Sequence, residues 1–502
     1  MRLFLLISLL SVASANAALE LSALFSDHAV LQQDRTLPVW GWATPGQEVT
    51  VSIAGEQSKA TTDAAGKWRV DLKALTRSAK PEVLRITAGG ETKTIQDVLI
   101  GEVWLGSGQS NMAMTVSRAK DYEKEQAEAK LPEIRMFTEK SAGATSAQDR
   151  CAGQWVVCSP ETVGSFSATA YFFGKEIHHT LGVPVGLINS SVGGTPIESW
   201  ISPEAQMASA ELKPFFEMAK KDGAEFDAMK AKATYDKQLA AWKEASKKAR
   251  AAGKPVPRAP RDPVAMRERK ANVGGLFNGK IAPLIPYAIR GAIWYQGEAN
   301  SNGDKGRFYH HHLALLAKDW RARWGADFPF AWVQLPNYEA KRGDGWMLVR
   351  EGALKAVQSV PKSGMAVTLD VGEAKNIHPQ NKQAVGDRLA RWALGSVYGL
   401  PGVTSGPLPL KHEIKGSEIV VTFSHTDDGL VLKKAAGSGF VIAGADKVWH
   451  PAEVRIEGYT IILSSKAVPQ PVAARYAWAE MPDVTLWNGA GLPASQFRTD
   501  AW

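Results

Sequence analysis

Apolar and polar residues alternate along the first part of the chain, from about residue 19 to residue 95. The alternation is clearest in Val49–Ile53 and Trp68–Leu72, where every second residue is apolar. A period of two is typical of a β-strand that buries one face. Turn residues such as Pro45-Gly46 separate the alternating segments. The pattern predicts a small β-sandwich over residues 18–96.

The pattern changes near Asp97. Five short apolar runs follow, most of them ending in a polar or glycine-rich turn: Val98–Leu105, Val183–Ile188, Ala292–Tyr295, Phe330–Leu335 and Met365–Leu369. Stretches with apolar residues at helical spacing lie among these runs or follow them: Ser167–Leu181, Tyr309–Trp324 and Lys382–Tyr398. Short buried strands combined with helices indicate a parallel sheet with helices on both faces. We therefore predict an α/β region over residues 97–400, with its ligand at the carboxyl ends of the strands.

Two segments depart from this pattern. Residues from about 203 to 270 are rich in Ala, Lys and Glu and end in the Pro-rich stretch Pro255–Pro263, which predicts an exposed helical insertion. Its basic run Lys247–Lys254 is interpreted as a solvated helix face rather than a polyanion site. Strand-like alternation returns after residue 401, as in Ile419–Phe423. This predicts a second β-rich region over residues 401–502.

The first 17 residues have the organisation of a secretory signal peptide. Arg2 precedes the apolar stretch Leu3–Val12, and Ala15-Asn16-Ala17 is a typical cleavage site. The apolar stretch is too short to span a bilayer, and no later stretch is long and apolar enough to do so. We therefore expect a periplasmic or secreted protein without a membrane span. In such a compartment Cys151 and Cys158 are candidates for a disulfide, and two free buried thiols are the alternative.

Composition excludes a largely disordered protein. Of the 502 residues, 45% are apolar and 22% are charged, which is ordinary for a globular protein. The net charge of +8, from 59 Lys and Arg against 51 Asp and Glu, is spread over the chain without a nucleic-acid-binding motif. Nucleic acid is therefore not expected as a partner.

Ser110 is the strongest candidate for chemistry. It lies in the glycine-rich turn Gly106–Met112, directly after an apolar run. Such a turn can hold a hydroxyl exposed at a strand end, although a serine in a glycine-rich turn is more often structural. A serine becomes a good nucleophile only beside a base, usually a histidine. The turn is neither G-x-S-x-G, nor a Walker loop, nor G-x-G-x-x-G.

His378 is the best-placed base. It follows the fifth apolar run and precedes a helix, so it belongs to the same sheet edge as Ser110. The run His310–His312 is not expected to bind a metal, because consecutive helical positions point about 100° apart. H-E-x-x-H is absent from the sequence, so zincin chemistry is not supported. We predict neither a metal nor a cofactor.

An ester hydrolase also needs donors for the oxyanion that forms during acyl transfer. The backbone N–H of Ser110 is one candidate. The Gly193-Gly194-Thr195 turn is a second, because glycine lets the backbone approach a ligand closely. The Gln296 side-chain amide, at the end of the third run, is a third.

Taken together, these residues resemble the sialate O-acetylesterase family of SGNH (GDSL-like) hydrolases. The matching segments run along most of the chain: LFSDHAVLQQD (24–34), GEVWLGSGQSNM (101–112), SVGGTPIESW (191–200), IWYQGEAN (293–300), NIHPQNKQAVGDRLA (376–390) and WNGAGLPASQFRTD (487–500). The resemblance implies an SGNH-type α/β/α sandwich and removal of O-acetyl groups from carbohydrates. It implies Ser110 as nucleophile and His378 as base. It further implies an oxyanion hole of Ser110 N–H, Gly194 N–H and Gln296, where Gln296 replaces the Asn of other SGNH enzymes.

The sequence departs from the SGNH pattern at one position. Many SGNH enzymes have an acid three residues before the histidine, and here that position is Lys375. The group that orients His378 stays open between Asp370, Glu373, the Asn376 amide and a backbone carbonyl. Loss of the acid need not abolish activity, since the acid fixes the tautomer and stabilises the imidazolium.

We therefore predict a secreted serine esterase that deacetylates a carbohydrate, such as sialic acid or a plant or algal polysaccharide like xylan, through an acetyl-enzyme. One alternative is a non-catalytic carbohydrate-binding protein, whose sugar-stacking residues would come from the 17 Trp. Acetate release from an aryl acetate separates these two. The other alternative is a serine hydrolase of longer acyl esters, which an acyl-chain-length series distinguishes.

Overall fold

The structure is a computed structural model. It describes residues 18–224, 227–257, 259–260, 262–264, 273–433 and 438–502. The signal peptide predicted at residues 1–17 lies outside the described residues, as does part of the Pro-rich stretch that ends the insertion.

The N-terminal region is built from strands, as predicted. They are β1 (Glu20–Leu21), β2 (Val30–Gln32), β3 (Leu37–Trp42), β4 (Glu48–Ile53), β5 (Glu56–Thr61), β6 (Lys67–Leu72), β7 (Ser78–Ala88) and β8 (Glu91–Gly108). Strand β3 pairs antiparallel with β1 and β6, while β4, β5 and β7 form antiparallel pairs that continue into β8. In β6 the residues alternate strictly between exposed and buried, which is the predicted period of two.

Strand β8 belongs to two regions of the fold. Its first half pairs with β7, and its second half is the middle of the central sheet. The boundary predicted between residues 96 and 97 therefore falls inside a continuous strand.

The central sheet contains the apolar runs found in the sequence. Its further strands are β9 (Leu131–Thr138), β10 (Trp155–Cys158), β11 (Val185–Ser191), β12 (Gly291–Tyr295), β13 (Phe330–Val333) and β14 (Ser363–Ala366). The strand order is β10-β9-β11-β8-β12-β13-β14. The neighbours in the series β9-β11-β8-β12-β13-β14 are parallel, and β10 is antiparallel to β9. With β2, β4, β5 and β7 included, the whole sheet has 11 strands and is mixed, whereas β1, β3 and β6 form a separate sheet.

Helices account for most of the rest of the central region. They are α1 (Ser110–Ala113), α2 (Tyr122–Glu128), α3 (Ala168–Leu181), α4 (Pro203–Ala208), α5 (Lys213–Ala224), α6 (Ala228–Ala251), α7 (Tyr309–Trp324), α8 (Gly345–Ser359) and α9 (Lys382–Ser396). Short 3₁₀ segments lie at Val116–Arg118, Val163–Ser165, Ile197–Ser199, Ala282–Leu284, Glu298–Asn300 and Gly303–Phe308, and a π-helical turn lies at Phe277–Ile281. Helices α4 to α6 occupy the predicted insertion, and α6 is largely exposed.

Helices cover both faces of the central sheet. In β12, Ala292 and Trp294 join the apolar core that includes α7 and α8, whereas Ile293 and Tyr295 join the core that includes α3 and α9. Such alternation is what a strand buried on both faces requires. The predicted α/β class with accessory β-rich regions is confirmed.

The C-terminal region returns to strands. They are β15 (Leu408–Lys415), β16 (Glu418–Ser424), β17 (Leu430–Leu432), β18 (Phe440–Ala443), β19 (Trp449–Pro451), β20 (Glu453–Glu457), β21 (Thr460–Ser464), β22 (Ala473–Tyr476), β23 (Leu486–Asn488) and β24 (Phe497–Arg498). They form sheets in the order β15-β16-β21-β20 and β19-β18-β22-β24, with β17 and β23 as a separate pair. The buried Ser495 Oγ accepts a hydrogen bond from Gln334 Nε2 at 2.8 Å, which ties this region to the end of β13.

The two cysteines are free thiols, so the disulfide considered for them is not formed. Cys158 is buried, and burial raises the pKa of its thiol to about 12. Within the described ranges, no helix is long and apolar enough to cross a membrane.

Candidate active site

Ser110 stands at the carboxyl edge of the central sheet. Strand β8 ends at Gly108, whose φ is +135°, and a Cβ at that position would lie 2.2 Å from Tyr295 O, so only glycine fits. Gln109 N–H donates to Tyr295 O at 2.9 Å and fixes the turn to the end of β12. Ser110 then begins α1, and as the first residue of a helix its N–H has no partner within that helix.

The Gly193-Gly194 turn lies directly against Ser110. It follows β11, and Val192 N–H donates to Gly108 O at 3.0 Å. A Cβ added to Gly193 would be 3.4 Å from Ser110 Cβ. Gly194 has a φ of +75° and is exposed. The structure thus brings the ends of β8 and β11 together, as the sequence predicts.

Gln296 lies at the end of the adjacent strand β12 and is 1% exposed. Its Nε2 lies within hydrogen-bonding distance of Gln109 Oε1 at 3.1 Å, Thr195 O at 3.2 Å and Asn300 Oδ1 at 2.7 Å. Tyr309 OH donates to Gln296 Oε1 at 3.0 Å. An amide has only two N–H hydrogens, so three acceptors surround two donors. Gln296 therefore joins the Ser110 turn to the Gly193-Gly194 turn.

His378 lies on the loop between β14 and α9 and is partly exposed. Its backbone N–H donates to Asn376 Oδ1 at 3.1 Å. The loop meets the Ser110 turn because Asn111 Nδ2 donates to Ile377 O at 2.9 Å. Ser110, the glycine turn, Gln296 and the His378 loop thus come from four separate parts of the chain and meet at one edge of the sheet.

The carboxylates near His378 have other partners. Asp370 accepts two hydrogen bonds from the Arg388 guanidinium, at 2.6 and 2.7 Å, one on each carboxylate oxygen. Glu373 accepts from Gln380 N–H at 2.7 Å and from Asn376 Nδ2 at 2.9 Å. These contacts bind Asp370 to helix α9 and give Glu373 a role in shaping the loop.

Comparisons with known proteins place the chain among carbohydrate esterases. The family described as "Carbohydrate esterase, sialic acid-specific acetylesterase" matches residues 100–250. A solved carbohydrate acetylesterase from Xanthomonas citri is 34% identical, with a TM-score of 0.82 over 97% of this chain and 100% of that one. The chain belongs to the sialate O-acetylesterase family of carbohydrate esterases.

Curated relatives extend the similarity to animals. The rat sialate O-acetylesterase is 29% identical over 93% of this chain and 91% of its own length. The human sialate O-acetylesterase is 27% identical over 96% of this chain and 93% of its own length. The predicted enzyme class, a carbohydrate O-acetylesterase, is therefore confirmed.

The esterase also has a buried polar cluster that the sequence analysis missed. Lys382 Nζ donates to Asn111 Oδ1 at 2.8 Å and to Pro379 O at 2.7 Å. Asn111 Nδ2 in turn donates to Glu298 Oε1 at 2.5 Å. All three residues lie inside the matching motifs, but their burial is not visible in those motifs.

Burial shifts the pKa of both charged members of this cluster. It lowers the pKa of Lys382 to about 7, although the nearby Glu298 acts in the opposite direction. It also raises the pKa of Glu298 above its ordinary value. Within the described part of the chain, Glu298 Oε2 has no hydrogen-bond partner. The cluster lies directly under the Ser110 turn of the esterase.

The histidine run of the esterase is part of the core. His312 is fully buried, packs against Phe215 with ring centroids 4.6 Å apart, and is hydrogen-bonded through Nδ1 to Phe308 O. Burial lowers the pKa of His312 to about 3. In the described ranges, no group of three or more His, Cys, Asp or Glu side chains has the arrangement of a metal site.

Proposed function

We propose that this enzyme is a periplasmic or secreted serine esterase of the SGNH type that removes O-acetyl groups from a carbohydrate. Ser110 is the nucleophile and His378 the general base. The single observation that supports this most strongly is the meeting of the Ser110 turn, the Gly193-Gly194 turn and the Ile377–His378 segment at one edge of the parallel strands.

The reaction proceeds in two stages. Ser110 Oγ attacks the acetyl carbonyl carbon while the imidazole of His378 takes the hydroxyl proton. The C–O bond to the sugar then breaks, His378 returns the proton to the sugar oxygen, and an acetyl group stays on Ser110. A water molecule that gives its proton to His378 attacks this acetyl-enzyme, acetate leaves, and Ser110 regains its proton.

Three donors stabilise the oxyanion in this proposal: Ser110 N–H, Gly194 N–H and the Gln296 amide. The first has no partner within its helix, and the second lies in an exposed turn with a positive φ. Gln296 has three acceptors for two hydrogens. One of them, Thr195 O or Asn300 Oδ1, gives way to the substrate oxygen without loss of the link to Gln109.

The His378 imidazole is oriented without a conventional acid in this proposal. Both oxygens of Asp370 already accept from Arg388, and Lys375 occupies the usual position of the acid. Both oxygens of Glu373 likewise accept, from Gln380 N–H and Asn376 Nδ2. This favours the Asn376 amide or a backbone carbonyl as the acceptor.

The test combines a substrate screen with one variant. Acetate release is measured on acetylated sialic acid, xylan and other acetylated plant or algal glycans, and on aryl esters of increasing acyl length. Ser110→Ala, checked for an unchanged Tm, is expected to lose about 10³-fold or more in kcat. Normal turnover by the folded variant contradicts the mechanism, and a preference for longer acyl chains contradicts the acetyl specificity.

A further inference from the structure

The backbone carbonyls of the two residues that flank His378 each accept a hydrogen bond from a buried side chain. Asn111 Nδ2 donates to Ile377 O at 2.9 Å, and Lys382 Nζ donates to Pro379 O at 2.7 Å. The same two side chains are joined to each other, because Lys382 Nζ also donates to Asn111 Oδ1 at 2.8 Å. The hydrogen bonds therefore close a ring around the backbone of His378.

Asn111 connects this ring to the proposed nucleophile. Asn111 follows Ser110 in α1, and its backbone oxygen accepts from Thr169 Oγ1 at 3.3 Å. The next residue, Met112, is held by Ser167 Oγ, which donates to Met112 O at 2.6 Å. Helix α3 thus anchors the Ser110 turn, and the Asn111 side chain carries that anchorage across to the His378 loop.

The two side chains that form the ring are buried. Asn111 and Lys382 are each 0% exposed, and Glu298, which accepts from Asn111, is 3% exposed. A buried hydrogen bond is stronger than one in water, and a buried partner left unpaired is costly. A purely structural role would be satisfied by bonds anywhere in the loop, whereas these bonds fall on the carbonyls of Ile377 and Pro379, the two residues next to His378.

We propose that Asn111 and Lys382 are positioning residues that hold His378 in register with Ser110, with Glu298 accepting from the same Asn111 Nδ2 that donates to Ile377 O. This inference rests on the proposed roles of Ser110 and His378. The ring supplies a rigid support for the base in an enzyme that lacks an acid at the usual position. Misplacement of a catalytic group by about 1 Å can cost about 10²-fold in rate.

The test uses Lys382→Met, which keeps the length of the side chain and removes its hydrogen bonds, and Asn111→Ser. Both variants are expected to lose about 10- to 100-fold in kcat on an aryl acetate, with KM changed by less than about threefold. They are also expected to react more slowly with a phosphonate that labels the active-site serine, because that reaction needs the same Ser–His geometry. Since both residues act through one ring, the double variant is expected to be no slower than the slower single variant.

The matched control is Gln383→Leu. Gln383 is the neighbour of Lys382 on α9 and also donates to a backbone carbonyl, Lys120 O at 2.6 Å, but not to the carbonyls beside His378. Its kcat is expected to stay at the wild-type value. If Lys382→Met does not fold, Asn111→Ser and Lys382→Gln give the same comparison.

The outcomes separate this inference from the proposed function. Ser110→Ala and His378→Ala are measured in parallel, and normal turnover in either means that the proposed function fails. If both lose turnover while folded Lys382→Met and Asn111→Ser keep the wild-type kcat, only the positioning role is wrong. A rise in KM alone, or fully additive losses in the double variant, also contradicts it.

Discussion

Gly193 faces Ser110 across the active-site edge, and a Cβ atom at Gly193 would lie 3.4 Å from Ser110 Cβ. Among the described residues, and apart from the two chain neighbours of Gly193, the one other atom within 4 Å of that Cβ position is Ser110 Cα. The space in front of Ser110, the proposed nucleophile, is thus bordered by a residue without a side chain. A carbonyl carbon that approaches Ser110 Oγ needs such space, as does the backbone donor of the adjacent Gly194.

This relationship predicts a graded effect of size at Gly193. Gly193→Ala is expected to fold with an unchanged Tm, because 3.4 Å is an ordinary van der Waals contact. Gly193→Val is expected to fold but to lower kcat/KM about tenfold or more, since its branches extend toward Ser110. Steady-state kinetics on an aryl acetate measure this, and equal activity of the valine variant would show that substrate approaches from another side.

Gln296 gives a second prediction. Gln296→Ala is expected to lower kcat by about 10²–10³ with a smaller change in KM, because an oxyanion donor acts mainly on the transition state. The variant also loses the hydrogen bonds to Gln109 and Thr195, so part of the loss can come from a displaced Ser110 turn.

Asn300→Ala provides the control for that displacement. Asn300 accepts from Gln296 Nε2 and from Ile197 N–H but lies one step farther from Ser110. Its kcat is expected to fall less than that of Gln296→Ala. If Gln296→Ala changes KM alone, Gln296 binds substrate and is not an oxyanion donor. If Gln296→Ala and Asn300→Ala lose equally in kcat, the role of Gln296 is structural.

The sequence predicts that Ser110, Gln296 and His378 lie at one edge of the sheet because each follows a short apolar run that is a strand of one parallel sheet. Their juxtaposition is a consequence of topology, which the order of strands and helices predicts. The Asn111–Lys382 contact was out of reach, because the two residues are 271 positions apart and a lysine is normally expected in solvent.

Two further features of the structure could not be predicted from the sequence. Alternation predicted strands before residue 96, but it gave no sign that β8 continues from the N-terminal sheet into the central one. Asp370 is one of the candidates that the sequence leaves open for orienting His378, and its bidentate contact with Arg388 depends on how α9 packs. Contacts between distant segments are decided by packing, which a local pattern does not contain.

The orientation of His378 leads to a third prediction. His378→Ala is expected to lose about 10³-fold or more in kcat, whereas Asp370→Asn is expected to cost much less, because Arg388 holds both oxygens of Asp370. Glu373→Gln and Asn376→Ala are expected to give intermediate losses, since these two residues shape the loop. Turnover of the four folded variants is compared at several pH values. An ordinary triad would be indicated by a loss in Asp370→Asn or Glu373→Gln alone that equals the loss in His378→Ala.

The last prediction concerns the pH dependence of stability. Burial lowers the pKa of Lys382 from 10.5 to about 7, with Glu298 and Glu373 opposing the shift and Arg118 adding to it. Between these two pKa values the unfolded chain binds more protons at this site than the folded one. The contribution of Lys382 to the free energy of unfolding therefore rises with pH from about 7 to about 10. Below pH 7 the lysine is protonated in both states, and the full cost of burying its charge is present.

Lys382→Met removes this titration. We expect the difference in unfolding free energy, wild type minus variant, to increase steadily when urea unfolding is measured at pH 7, 8 and 9. Titrating groups that do not interact with Lys382 affect both proteins alike, so the difference reports on Lys382 and the carboxylates coupled to it. Gln383→Leu, which changes no charge, is expected to show a constant difference from wild type over the same range.

A constant difference for Lys382→Met as well would mean that Lys382 keeps an ordinary pKa in the folded protein. The Asn111–Lys382 hydrogen bond would then be made by a permanently charged ammonium group with Glu298 as its counter-ion.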